Sequence, residues 1–240
     1  RHGWKWLIYS AENKTASIKM KLLQFAMGRT IGVMTADEMR EGMKWVSRHF
    51  IVITNKEVVS YTDLIIYAER LMANNMGFDG FFIDPYNALK IEMAHGSSLS
   101  THEYHYEAAS EMLTFSNGNE KALWLNVHAF TDAQRRIGGD GYVQAPQAAD
   151  TEGGGKFVNR SDNFLTFHRK VSHDDPNMKR TMEFHVRKIR EVETGGEPTS
   201  DNLPLMWRMS LDGTKFMDNF GETLFPPLTI EEHQSEIEYH

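Results

Sequence analysis

The sequence predicts an α/β fold: a mostly parallel sheet flanked by helices, with antiparallel strands added at its C-terminal edge. Short apolar runs alternate with helix-period patterns up to about residue 127, and three strand-like runs separated by turn-rich stretches follow. Strands that alternate with helices pair in parallel through right-handed crossovers, whereas strands joined by turns favour antiparallel pairing. The chain has 240 residues, of which 40% are hydrophobic, and this is enough for a core.

Four strands and four helices are predicted in the first half of the chain. The strands cover residues 4–9, 50–53, 81–84 and 122–127. The helices begin, in order, near Asn13 or Thr15, after the capping box Thr35-x-x-Glu38, ahead of Leu64, and after the capping box Ser100-x-x-Glu103. In a capping box, two side chains satisfy N–H groups that have no partner within the first helical turn. The third helix is expected to end near Gly77 and the fourth near Phe115.

The pattern changes after residue 130. Residues 131–156 are rich in Gly, Gln, Ala and Asp without periodicity, and a connection of this length is typical of a functional or mobile loop. The three later strand-like runs cover residues 164–167, 181–186 and 205–209. From Asp218 onward the chain contains no Lys or Arg and accumulates Glu. We therefore expect a core of residues 1–217 and an acidic, partly disordered tail of residues 218–240.

The composition argues against several functional classes. A formal charge of −7 disfavours a generally basic nucleic-acid-binding surface, but it allows a local basic channel. The absence of Cys removes disulfides and thiolate metal sites, which suits a reducing compartment. The sequence has no run of 18 or more apolar residues and no signal-peptide pattern, so we expect a soluble protein that does not bind membranes. Because the chain begins without Met, we expect it to be a piece of a longer protein.

Two carboxylates follow predicted strands. Asp84 ends the apolar run Phe81-Phe82-Ile83, and an acid at the carboxyl end of a parallel strand faces the crevice where α/β proteins bind ligands. In nucleotide hydrolases such an acid holds Mg²⁺ through water, and the alternative here is a turn or N-cap Asp before Pro85. Glu12, after the first strand, is a candidate base for a water that attacks a γ-phosphate, or otherwise a solvated surface residue.

A histidine and two cations are further candidates. His128 follows the strand that ends at Val127, so it is expected beside Asp84, where it could donate a hydrogen bond to a γ-phosphate; a lone His is otherwise a structural residue. Lys188 and Arg190 share one face of a strand end and could clamp a phosphate as an arginine finger, in their own or a neighbouring subunit. The alternative is a basic sheet edge that discourages aggregation.

Two weaker patterns are set aside. His102, Glu103 and His105 lie on one predicted helix without a third His or Cys at ligand spacing, which favours a polar helix face over a metal site. The phosphate-binding pattern Gly-x-x-x-x-Gly-Lys-Ser/Thr does not occur in these 240 residues, since Phe157 follows the nearest match, Gly155-Lys156.

The order of these motifs resembles the helicase domain of the DnaB-type replicative helicases, RecA-like motors that include phage primase-helicases and the mitochondrial replicative helicase. The matching segments are Gly3 to Glu12 (the strand ending in the catalytic Glu), Gly80 to Leu89 (Walker B), Leu125 to His128 (the γ-phosphate sensor), Lys156 to Arg169 (after the second DNA-binding loop) and Val186 to Arg190 (the Lys-x-Arg pair). The resemblance covers about residues 3–217. The family's phosphate-binding loop and its central strand would precede this segment, so tight nucleotide binding by these residues alone is not expected.

The resemblance implies an NTP-driven, hexameric DNA helicase that moves 5′ to 3′ and uses ATP or another NTP with Mg²⁺. In this reading Glu12 is the general base, Asp84 the Mg²⁺ ligand and His128 the γ-phosphate sensor. Lys188 and Arg190 reach the nucleotide site of the neighbouring subunit. The rival functions are a RecA-like recombinase or clock-type ATPase, and a non-catalytic DNA-binding or assembly module of a replisome or packaging machine.

The resemblance also implies partners and a location. Single-stranded DNA would pass through a channel lined by the loop from Lys90 to Ser98 and by Arg135 and Arg136. Arg169 would contact the nucleotide base. Other partners would be further copies of the chain and, through the acidic tail, a primase or polymerase. The expected location is the cytoplasm of a bacterial or phage-infected cell.

Overall fold

Two four-stranded sheets form the framework of the structure, a computed structural model that describes residues 2–92, 100–151 and 153–228. The first sheet is parallel, in the order β2-β1-β3-β4, and the second is antiparallel, in the order β5-β6-β7-β8. The strands are β1 (Trp6–Ser10), β2 (Phe50–Val52), β3 (Gly80–Asp84), β4 (Ala122–Leu125), β5 (Asn163–His168), β6 (Thr181–Ile189), β7 (Leu205–Met209) and β8 (Phe216–Met217). The predicted α/β class, with a parallel sheet followed by antiparallel strands, is confirmed.

The helices cover the parallel sheet and connect its strands. They are α1 (Thr15–Met27), α2 (Ala36–His49), α3 (Tyr61–Ala73), α4 (Thr101–Asn119), α5 (Gly155–Arg160) and α6 (Val192–Gly195). Both predicted capping boxes are present, at the starts of α2 and α4. A third box, Ser60 with Asp63, begins α3, and the hydrogen bonds that the Asp63 carboxyl accepts from the backbone N–H and then the hydroxyl of Ser60 lower its pKa. None of the helices in the described ranges is long and apolar enough to cross a bilayer.

The main core lies between the parallel sheet and helices α3 and α4. It includes fully buried side chains of β1 and β3, such as Leu7, Phe81 and Ile83. Burial of these large apolar side chains fixes the positions at which β1 and β3 end. His105, which was set aside as a metal ligand, is buried in α4 and shares a 2.8 Å hydrogen bond with the Tyr86 hydroxyl.

Strand β4 differs from its prediction as a buried strand over residues 122–127. It ends at Leu125, and Trp124 is 41% exposed. The reason is its position, because β4 lies at the edge of the parallel sheet. The antiparallel strands pair with one another in a sheet of their own, and the ring of Trp124 stacks on Phe167 of β5 with a centroid distance of 6.5 Å.

Part of the predicted acidic tail packs on α1. Its described portion, residues 218–228, ends with the N–H of Leu228 donating to the carbonyl of Ala26 (2.8 Å), and Leu228 packs against a small core between α1 and α2. The Phe216 ring of β8 stacks on Phe25 of α1 at 5.7 Å. The rest of the tail, residues 229–240, lies outside the described residues, so its predicted disorder stays a prediction.

Candidate nucleotide and DNA site

Three of the predicted catalytic residues follow neighbouring parallel strands. In the register of the sheet, Ser10 lies opposite Asp84, and Ile83 lies opposite Leu125. Glu12 is two positions beyond the end of β1, Asp84 is the last residue of β3, and His128 is three positions beyond the end of β4. The carboxyl ends of parallel strands meet at one edge of a sheet, which is where α/β proteins bind ligands. The structure therefore brings Glu12, Asp84 and His128 to one edge.

The Asp84 carboxylate is held between two neutral side chains. The Ser10 hydroxyl donates to its Oδ2 (3.4 Å), and the amide of Asn126 donates to its Oδ1. The Ser10 oxygen in turn accepts from the backbone N–H and the side-chain amide of Asn13, both at 3.3 Å. In the described part of the chain, Asp84 forms no ion pair. A half-buried carboxylate without a protein cation, beside a hydroxyl oxygen, is a donor set that suits a hard cation such as Mg²⁺.

Ser10 and Asn126 are site residues that the sequence analysis did not assign. Ser10 is 3% exposed at the end of a strand. Asn126 precedes His128 by two positions, inside the motif that carries the family resemblance. A polar residue at the last position of a buried strand was the available signal for Ser10. Their contact with Asp84 depends on strand register, which the sequence alone does not show.

The backbone around Glu12 is fixed, while its side chain is exposed. The N–H of Ala11 donates to the carbonyl of Asp84 (2.8 Å). The side-chain amide of Asn55 donates to the carbonyls of Ala11 and Asn13, both at 3.2 Å. Glu12 therefore lies on an anchored turn between β1 and α1, with its carboxylate open to water. This is the placement that a base acting on water requires.

His128 lies on the segment that links β4 to the long loop. Its backbone N–H donates to Oδ1 of Asn87 (2.6 Å), and its side chain is exposed. The N–H of Tyr86 donates to the carbonyl of Asn126 (2.8 Å), so the chain after β4 is tied to the turn after Asp84. The next residue, Ala129, forms an isolated antiparallel bridge with Thr151 at the other end of the loop.

Lys188 and Arg190 lie at the end of β6, in the antiparallel sheet. The Lys188 ammonium donates to the carbonyls of Val158 (2.6 Å) and Ser161 (2.7 Å) at the C-terminal end of α5. Burial lowers the pKa of Lys188, and the nearby positive charge of Arg190 lowers it further. Arg190 pairs with Asp162. Neither side chain has a hydrogen bond or ion pair with Glu12, Asp84 or His128 in the described structure, so their service to another subunit's site stays a prediction.

The cations that were assigned to DNA are partly engaged within the chain. Arg136 forms an ion pair with the buried Asp150, and Lys90 pairs with Glu92, which raises the pKa of Lys90. Arg135 is exposed, with no ion pair to any described residue. Of the predicted loop from Lys90 to Ser98, residues 93–98 lie outside the described residues. Arg169, assigned to the nucleotide base, is exposed immediately after β5.

Comparison with solved structures identifies the class of fold. A solved ATPase domain matches with a TM-score of 0.69 at 13% identity, over 89% of this chain and 74% of that one. A DnaB-like replicative helicase, solved in a study of its interactions with primase, matches with a TM-score of 0.70 at 12% identity, over 89% of this chain and 50% of that one. The chain therefore has the RecA-like fold of helicase ATPase domains.

Comparison with the sequences of known proteins identifies a relative of this chain. No family model matches the chain. The Twinkle homolog protein, chloroplastic/mitochondrial, of Arabidopsis thaliana is 28% identical over 207 residues, which are 80% of this chain and 27% of the plant protein. The chain thus spans about a quarter of the length of this relative. Together with the fold, this match confirms the resemblance to a DnaB-type, RecA-like helicase domain.

Proposed function

We propose that this chain is motor-domain sequence of an NTP-hydrolysing replicative DNA helicase, which assembles as a hexameric ring and moves along single-stranded DNA. The observation that carries the proposal is the Asp84 carboxylate, held by Ser10 and Asn126 where the parallel strands end, with Glu12 and His128 just beyond the carboxyl ends of the flanking strands. The sequence match to a Twinkle homolog and the fold shared with a DnaB-like replicative helicase support the helicase class.

The proposed chemistry divides the roles among the strand ends. Asp84, with the Ser10 hydroxyl beside it, would hold Mg²⁺ through water. Bound there with an NTP such as ATP, Mg²⁺ supplies neutralisation of the charge that develops on the phosphates. Glu12 would orient the attacking water and accept its proton. His128 would donate a hydrogen bond to a phosphate oxygen. Loss of this bond when the phosphate leaves would change the position of the loop that begins at Ala129.

The proposed ring places further residues across subunits. Arg190, assisted by Lys188, would reach the nucleotide of a neighbouring copy, because no contact among the described residues of its own chain connects it to Asp84. Arg135 and Arg136 would grip the DNA backbone by charge, largely without sequence preference. A primase or polymerase partner would meet the chain through the acidic tail of residues 218–240, whose described part contacts α1 at Leu228 and leaves Phe220 and Phe225 exposed.

The test compares Asp84, the last residue of β3, with Asp79, which immediately precedes β3, in the full-length protein. Asp84→Asn keeps the shape but removes the negative charge that would hold Mg²⁺. Metal ions contribute several kcal/mol to such transition states, so we expect NTP hydrolysis to fall by about 100-fold or more. Asp79→Asn is the matched control. The Asp79 carboxylate accepts a 2.7 Å hydrogen bond from the N–H of Lys5, which an amide oxygen can also accept.

Hydrolysis stimulated by single-stranded DNA, together with unwinding of a forked duplex, should be present in the wild type and in Asp79→Asn and absent from Asp84→Asn. Wild-type hydrolysis in Asp84→Asn would remove this residue from the site. Filament formation with strand exchange, in place of unwinding, would identify a recombinase.

A further inference from the structure

One face of the antiparallel sheet is polar, and it is buried. Its most buried residues are Thr166, His168, Glu183 and His185. Buried polar groups require hydrogen-bond partners. Of these four, His168 is bonded to residues 136–151, which we call the covering loop, and Lys170 and Arg187 beside them also contact this loop, which lies in the Gly-rich segment proposed to bind DNA.

Three contacts attach the covering loop to this face. Nε2 of His168 donates to the carbonyl of Val143 (2.8 Å). The Lys170 ammonium bridges Asp140 of the loop (2.8 Å) and Glu183 of β6 (3.2 Å). The third contact is made by Arg187, whose guanidinium donates to the carbonyl of Pro146 (3.0 Å).

Arg187 is the most extensively bonded of these anchors. Besides Pro146, its guanidinium pairs with Asp201 and donates to the Thr166 hydroxyl (3.5 Å). The Arg187 side chain is only 6% exposed, whereas that of Asp201 is 66% exposed. A planar guanidinium donates in several fixed directions at once, which an ammonium group cannot do. Arg187 therefore fixes the position of Pro146 relative to β6.

Arg187 is adjacent along β6 to Lys188, one of the two cations proposed to act on nucleotide. Successive residues of a strand point to opposite faces, so Arg187 contacts the covering loop while Lys188 contacts the carbonyls that end α5. Arg190 follows two positions later. The covering loop also contains Arg136, which forms an ion pair with Asp150 of the same loop. One strand thus joins the proposed DNA-binding segment to the two cations proposed to act on nucleotide.

We propose that Arg187 is a positioning residue that couples DNA binding by the Gly-rich loop to NTP hydrolysis, through β6 and the cations Lys188 and Arg190. This inference rests on the proposed helicase function. When Arg135 and Arg136 engage a DNA strand, the covering loop shifts and carries the Pro146 carbonyl with it. Arg187 then either moves with that carbonyl or loses its bond to it. In both cases the position of Arg187 changes, and with it the position of the end of β6 that carries Lys188.

The experiment measures hydrolysis with and without single-stranded DNA, and DNA affinity in parallel, in the full-length assembled protein. Couplings between two sites usually amount to about 5- to 150-fold. We therefore expect Arg187→Gln to lower the ratio of stimulated to basal hydrolysis by about five-fold or more, with little change in DNA affinity. Arg187→Lys should restore part of the ratio, because it retains one charged donor. The control is Tyr142→Phe, which removes a covering-loop hydrogen bond to Asp174 (3.1 Å) and no bond to β6, and should keep the wild-type ratio.

Asp201→Asn is a second variant, chosen because an exposed carboxylate can be replaced without disturbing folding. It weakens one Arg187 contact and should lower the ratio in the same direction by a smaller factor. An unchanged ratio in both Arg187→Gln and Asp201→Asn would overturn the inference. So would an equal loss of basal and stimulated hydrolysis, which indicates a merely structural role. A wild-type protein that hydrolyses NTP without any response to DNA would instead overturn the proposed function.

Discussion

Lys188 and Arg190 are two positions apart at the end of β6, but their side chains are held differently. Lys188 donates to carbonyls at the end of α5, and burial lowers its pKa. Arg190 is about half exposed and pairs with the exposed Asp162. An exposed ion pair contributes at most about 1 kcal/mol, so Arg190 can turn towards a neighbouring subunit at little cost. Movement of Lys188 would leave the carbonyls of α5 without their donor. We therefore expect Arg190 to be the finger and Lys188 to support it.

If the chain forms the proposed ring, Arg190→Ala should abolish its hydrolysis while each subunit stays folded. An arginine finger contributes about 10³- to 10⁵-fold to phosphoryl transfer. Glu12→Gln should be inactive for a different reason, because an amide cannot accept a proton from water. Rings that contain both kinds of subunit should regain some activity, since at some interfaces an intact Glu12 meets an intact Arg190. The measurement is steady-state hydrolysis across mixing ratios.

Arg180→Ala is the control for this experiment, because Arg180 lies at the opposite end of β6 and its side chain bonds within its own turn, to Pro176 and Asn177. It should behave as the wild type at every mixing ratio. If mixed rings form but show no recovery, Arg190 acts within its own subunit or has no catalytic role.

At the scale of single elements, local signals were sufficient to predict most of the fold. The capping boxes at Thr35 and Ser100 were predicted because both carry Glu at the third helical position. The box at Ser60 was missed because Asp63 takes that position. The run Phe81 to Ile83 marked the strand that ends in Asp84. The contacts of Ser10 and Asn126 with Asp84 could not be predicted, because they link separate strands and depend on register.

Gly28 ends helix α1 and lies against Pro227, near the described end of the chain. It ends the helix with a φ of +59°, a conformation that costs other residues about 1–2 kcal/mol. A Cβ at this position would lie 2.5 Å from Cγ of Pro227. Gly28→Ala should therefore lower the free energy of unfolding by that strain plus about 1–3 kcal/mol for the overlap. Urea denaturation measures this change.

Two comparisons separate the contributions at Gly28. Gly32→Ala should cost little, because a Cβ there has no described atom within 4 Å. In a Pro227→Gly background, Gly28→Ala should retain the cost of strain but lose the overlap with Pro227; the remaining close atom, Cε of Lys215 at 2.8 Å, is at the end of a flexible side chain and can move away. An equal effect of Gly28→Ala in both backgrounds would show that residues 226–228 do not pack on α1.

At the scale of the whole molecule, the Gly-rich segment shows where prediction from sequence ends. Its composition has no periodicity, and it was expected to be functional or mobile. In the structure, partners far away in sequence fix it, among them His168, Lys170 and Arg187. These polar side chains lie on alternate positions of β5 and β6 or just beyond β5, a pattern that is typical of a solvated face. In the structure the covering loop lies over this face. The buried face then makes the stability of this half of the molecule sensitive to charge.

His185 lies on this face and makes stability depend on pH. It is 3% exposed, its Nε2 lies 3.3 Å from Glu183, and Arg187, His168 and Asp201 are further charged or titratable groups near it. Burial lowers the pKa of His185 below its ordinary value of 6.5; the Glu183 carboxylate opposes this shift, and Arg187 adds to it. As pH falls below 6.5, the unfolded chain therefore takes up a proton that the folded chain resists, and stability decreases until the folded pKa is reached. One proton corresponds to a slope of at most about 1.4 kcal/mol per pH unit.

His185→Gln should flatten this part of the stability curve, measured by urea denaturation from about pH 5 to pH 8. His102→Gln, at an exposed position in the first turn of α4, should leave the curve unchanged. The same slope in wild type and His185→Gln would show that this histidine is not buried as the structure places it.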